Sequence, residues 1–122
     1  MIHDAIFERL SSFTTLTALV GTRIYPVVLP QDCAMPALAF ARISDPAEIA
    51  VDGSVVMHRS RFQFSCYAKT PKEARAVAER VIEALSGYRD ATIKGTLYDN
   101  AQDLYEPDNR LYHVPVDFFV SY

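Results

Sequence analysis

The chain has 122 residues, half of them apolar and 22% charged, with a formal charge of −3 and a pI near 5.5. For a protein of 13.7 kDa, surface scaling gives ~6,600 Å² exposed when folded against ~20,000 Å² unfolded, which is enough burial for one domain over 1–122 without a metal or disulfide staple. Disorder is excluded as the main state, apolar runs of only about five or six residues exclude a bilayer-spanning helix, and the acidic balance excludes a global pull toward polyanionic nucleic acid or an anionic membrane.

At the N-terminus Ile2, Ile6, Leu10 and Phe13 recur at helical spacing, with Asp4, Glu8, Arg9 and Ser11 elsewhere around the axis, so a short amphipathic helix is expected. A second brief helix follows over Thr14 to Val20, with a threonine cap and Gly21 to end it. Ile24 to Leu29 reads as a short edge strand, because Pro26 cannot donate to a ladder. Pro30 to Pro36 reads as a loop, and Ala37 to Ser44 as a strand that Pro46 interrupts.

Val51-Asp52-Gly53-Ser54 is a hairpin signal, and Val55 to Ala68 then alternates without a break. Val56, His58, Ser60, Phe62, Phe64, Cys66 and Ala68 share one face; Val55, Met57, Arg59, Arg61, Gln63, Ser65 and Tyr67 share the other. About fourteen residues of strand span about 46 Å, more than the ~35 Å globule that this chain length makes. The strand must bend or leave the body, and the mixed half, Val55 to Arg61, reads as a projecting arm.

Thr70-Pro71-Lys72-Glu73 combines an N-cap, a proline at the first helical position and a capping-box glutamate. The helix that follows carries the stripe Ala74, Val77, Ala78, Val81, Ile82 and Leu85, and Gly87 closes it. A strand is expected from Ala91 to Tyr98, a polar stretch from Asp99 to Asp103, and a turn over Glu106 to Asn109. The last strand, Leu111 to Tyr122, sets Tyr112, Val114, Val116, Phe118, Val120 and Tyr122 against His113, Pro115, Asp117, Phe119 and Ser121. Strands grouped in runs indicate α+β: an antiparallel or mixed sheet with a long β-hairpin, an N-terminal helix and one long amphipathic helix packed on it.

The chain contains no GxGxxG, Walker A lysine, HExxH, GxSxG or CxxC. His3, His58 and His113 fall on separate elements, which favours local hydrogen bonding over a joint metal or catalytic site. Cys66 sits on an apolar strand face as a small hydrophobe, and Cys33 has no basic neighbour in sequence to activate it; both are read as reduced. Asp99, Asp103, Glu106 and Asp108 lack EF-hand spacing and read as a solvated turn. No cofactor, metal or catalytic residue is expected. Asp52, Gly53, Val55, Met57, Arg59, Arg61 and Phe119 are the candidate contacts to a subunit or partner, and Phe119 with Tyr67 hints at a second buried face. The edges near Pro26 and Pro115 are expected to be open to neighbours.

Four segments, taken in order, resemble the tail-completion family of long-tailed bacteriophages and prophages: LTALVGTRIYP at Leu16 to Pro26; PALAF at Pro36 to Phe40; RFQFSCYA at Arg61 to Ala68, leading into the capped helix; and DLYEP at Asp103 to Pro107, continuing through DFFV at Asp117 to Val120. The resemblance implies a structural virion protein without enzymatic activity or cofactor. It implies a ring, typically six subunits, on the head-proximal end of the tail tube, where it stops tube growth and receives the head connector. The implied partners are copies of itself, the tail tube protein, the head connector and passing DNA without sequence-specific binding, with no membrane. The implied location is the virion tail, after assembly in the host bacterial cytoplasm.

Two other readings compete. One is a dimeric ligand-binding or catalytic domain with a pocket lined by Tyr67, Tyr98, Tyr112 and a histidine. The other is an interaction module that takes a peptide strand along an open edge.

Overall fold

The computed structural model describes residues 2–122, apart from the side chains of Ala47, Glu48 and Val56. Helices α1 (Ile2–Ser12) and α2 (Thr14–Val20) precede β1 (Ile24–Pro26), β2 (Ala37–Ser44), β3 (Ala47–Ile49) and β4 (Val55–Ala68). Helix α3 (Pro71–Leu85) leads to β5 (Gly95–Ala101), β6 (Leu104–Glu106) and β7 (Leu111–Ser121). The seven strands run in the order β1-β2-β4-β7-β5, with β3 beside β4 and β6 beside β7. The β1–β2 pair is parallel and every other pair antiparallel, so the sheet is mixed and the fold is α+β.

One face of the sheet carries the core. Phe62, Phe64, Cys66 and Ala68 of β4 and Val114, Val116, Phe118 and Val120 of β7 are buried with residues from all three helices. Phe64 is the hub: it stacks with Phe40 at 6.3 Å and Phe62 at 6.4 Å and meets Phe118 edge-on at 5.9 Å. Helix α3 starts where its cap specifies, with Thr70 Oγ1 accepting from Glu73 N at 3.2 Å, and buries Ala74, Val77, Ala78, Val81, Ala84 and Leu85. No helix among the described residues is long and apolar enough to cross a membrane.

Four local expectations are revised. The residue before α2 is Phe13, with no side-chain cap bond, so no threonine caps that helix. Strand β1 stops at Pro26 because Val27 turns to φ +66°, although Val27 N still reaches Phe40 O at 2.8 Å. The strand expected at Ala91 to Tyr98 is displaced to Gly95–Ala101. Asp90 Oδ1 accepts from Thr92 N at 2.7 Å and Ile93 N at 2.6 Å, which holds that segment in a turn. The stretch after Asp99, expected to be loop, continues the ladder to Ala101 past an irregularity between Tyr98 and Asn100, and Leu104–Glu106 pairs again as β6.

Pro115 does not lie at an open edge. It sits in β7 between β4 and the β5–β6 pair, where Gln102 N donates to its carbonyl at 3.3 Å. In an extended strand a residue's N and O face the same side, so the missing N–H falls at the gap between β5 and β6, where no ladder bond is needed. Pro26 does occupy an edge strand, as expected.

A candidate interaction surface

The long strand β4 begins outside the body. Strand β7 accompanies it as far as His58, whose N and O exchange 2.9 Å bonds with Tyr122. Beyond that point Val55–His58 is paired by β3, through Ile49↔Val55, Glu48↔Met57 and Ala47↔His58. The arm is therefore the hairpin from Ala47 to Met57, shorter than the expected projection: Arg59 and Arg61 lie over the body, opposite Ser121 and Phe119.

Its turn is set locally. Asp52 Oδ1 accepts from Ser54 N at 3.0 Å and Ser54 Oγ at 2.7 Å, bonds that hold the Asp52 carboxyl below the usual carboxylate range. Gly53 takes φ +89°, which favours glycine. Three aliphatic side chains are exposed on this arm: Ile49 at 64%, Val55 at 55% and Val51 entirely. Three aliphatics on one short hairpin are an exposed apolar cluster of the kind that marks contact surfaces.

The base of the arm is braced by a network that sequence reasoning missed. Asp45 Oδ1 accepts from Ser60 Oγ at 2.6 Å and from Tyr122 OH at 3.0 Å, and lies 3.1 Å from His58 Nδ1. Its Oδ2 lies 3.4 Å from Arg42, and the His58 ring stacks on Tyr122 at 5.0 Å. The Ser60 bond, then those of Tyr122 and His58, hold Asp45 below the usual carboxylate range against its own desolvation. The one sequence signal was His58 and Ser60 on the inward face of β4; their acceptor lies 13 and 15 residues away, beyond any local pattern.

All three helices pack on the core side, and the opposite face of the sheet carries the remaining candidates. Arg61 Nη2 donates to Asp117 Oδ2 at 2.8 Å and lies 3.2 Å from Asp99; the Asp117 bond comes first in raising the guanidinium pKa. Gln63 donates to the other Asp117 oxygen at 3.1 Å, so the buried carboxylate is satisfied on both sides. Arg61, one of the candidate contacts to a subunit or partner, is thus gripped by two carboxylates of its own chain. Arg59 is exposed, and with Phe119, Leu97 and Gly95 it edges a shallow groove of about 370 Å³. Tyr67 and Phe119 are half-buried, and no second helix among the described residues covers them.

The tyrosine pocket does not assemble. Tyr67 stacks on His113 at 4.3 Å, Tyr98 meets Phe118 at 5.7 Å, and Tyr112 lies against Tyr105 at 4.9 Å. His3 packs on Phe62 and His58 on Tyr122, far from His113 along the strands. Among the described residues no group of three His, Cys, Asp or Glu side chains is placed to hold a metal ion. Cys66 is fully buried, and burial alone pushes its thiol pKa far up, so it holds no thiolate at neutral pH.

Residues 4–122 match the family model described as tail completion protein gp17. The chain belongs to that family, and with it to the structural proteins of phage tail assembly rather than to the enzymes. Among solved structures it is similar to a chain of the native gene transfer agent virion particle, with a TM-score of 0.76 and 20% identity over 95% of this chain and 90% of that one. No curated protein sequence matches it.

Proposed function

We propose that this chain acts as a single unit over residues 1–122, in a ring of about six copies that closes the head-proximal end of a tail tube and receives the head connector. The observation that carries this reading is the braced hairpin arm, which offers Ile49, Val51 and Val55 to something outside the subunit. A ring needs a heterologous contact, in which unlike surfaces meet and the rotation closes, and an arm that reaches past its own globule supplies one half of such a contact. The similarity to a chain of a phage-like virion particle supports the same reading. The net charge of −3 suits a passage through which DNA slides without phosphate attraction. The site of action is the virion, after assembly in the host cytoplasm, and the partners are tube protein and connector.

The test is negative-stain imaging of purified protein mixed with tail tubes. Density confined to one tube end is the expected result. Binding along the tube wall would overturn the end-capping role, and no binding with saturable uptake of a small molecule would favour the ligand-binding alternative.

A further inference from the structure

The arm and a groove lie at the two ends of the same strand. Strand β4 starts in the arm at Val55 and ends at Ala68, and the next residue, Lys69, lines a groove of about 550 Å³ with Tyr67. About 45 Å of extended chain separates the two features. One wall of the groove is the loop after β1, with Val27, Val28, Leu29 and Met35; the other is the β6–β7 corner at Glu106, Asn109 and Leu111. Val27 and Val28 are 74% and 71% exposed. Val27 is a β-branched residue held at φ +66°, a conformation that costs free energy and persists only where the surroundings impose it.

The tip carries an acid, Asp52, and the groove a base, Lys69, beside two acids, Asp32 and Glu106. Both Ser54 bonds to Asp52 fall on Oδ1, leaving Oδ2 for a cation. In the groove, Lys69 is exposed and makes no ion pair among the described residues, whereas Glu106 is turned toward His113 at 3.5 Å and Asn109 at 3.4 Å. Asp32 is the other charge on the lining.

Resting on the ring reading above, we infer that the arm tip of one copy seats in the Val27–Lys69 groove of the next, with Ile49, Val51 and Val55 against its apolar wall and Asp52 on Lys69. The occupant is a second copy of this chain. Apolar tip meets apolar loop, Asp52 meets Lys69, and the two features sit at opposite ends of one strand, so each copy has one donor and one acceptor. That is the arrangement a head-to-tail ring requires.

Cys33 lines the groove, and Cys66 is sealed in the core, so the native chain carries one thiol that reports on the contact. Val51→Cys places a second thiol on the tip. Treating the assembled Val51→Cys protein with a short bismaleimide should give a ladder of covalent multimers ending in a closed ring, absent from wild type and from Val51→Cys/Cys33→Ser. Lys69→Asp should weaken assembly at least tenfold, and adding Asp52→Asn, which keeps an oxygen for the Ser54 bonds and removes the charge that the introduced aspartate would repel, should recover part of that loss, both proteins keeping the wild-type melting temperature. Rings that form without cross-links between Cys33 and the introduced tip thiol would overturn this docking and leave the ring reading standing. Cross-linking that stops at dimers, joined through the tip thiols of both copies, would overturn it as well. Absence of any oligomer, free or on tail tubes, would overturn both.

Discussion

His113 shows how a side chain with no catalytic duty shapes stability. Its ring is stacked on Tyr67, its Nδ1 lies 3.5 Å from Glu106, and its Nε2 is buried without a partner among the described residues. Burial pulls its pKa below the ordinary imidazole value, and Glu106 only partly opposes this. The unfolded chain therefore takes up a proton first as pH falls. Stability from this group is complete above about pH 6.5 and is lost as pH drops from there toward the folded value. A melting temperature that declines between about pH 7.5 and about pH 5.5 is expected. The decline should shrink in His113→Phe, which keeps the stacking and removes the titration; an equal decline in the variant would assign it elsewhere.

At the scale of elements, the arm and the body should separate cleanly. Replacing Ile49 to Val55 with Asn-Gly removes the exposed tip and leaves the His58–Tyr122 bonds and the Asp45 network in place. The shortened chain should melt within about 1 kcal/mol of wild type, since it loses no buried side chain, and should fail to assemble. A large drop in stability would show that the tip belongs to the folding unit. The bounds of β2, β4 and α3 were legible because alternation, helical stripes and a complete N-cap each speak within one segment. Strand β5 was misplaced because Asp90 side-chain bonds decide where its ladder starts, and strand periodicity carries no record of them. The place of Asp52, Gly53 and Val55 on a hairpin was readable from turn chemistry. The self-pairing of Arg61 was not, because Asp117 lies 56 residues on and meets it only through strand register.

For the whole molecule, stability converges on one aromatic hub. Phe64 is fully buried, touches Phe40, Phe62 and Phe118, and joins the sheet to the helical layer. Phe64→Ala should cost about 3–5 kcal/mol, measured by denaturant unfolding of the isolated subunit. An unchanged midpoint would mean that the hub is not where the layers are joined. The accessible surface of 7073 Å² slightly exceeds the ~6,600 Å² of a compact body of this mass, as a protruding hairpin requires.

The proline that ends β1 limits how copies of this protein meet. Strand β1 offers three residues, its last has no N–H, and the chain then turns away at Val27. Continuous growth of one sheet into a fibre is blocked at that margin, because every added copy would have to bond there. The opposite margin, β5, remains free, but pairing two β5 strands antiparallel creates a twofold axis and stops at a pair. A larger closed assembly cannot be built by laddering these two margins alone, so it draws on the arm, where exposed side chains give the sequence control over the choice of neighbour.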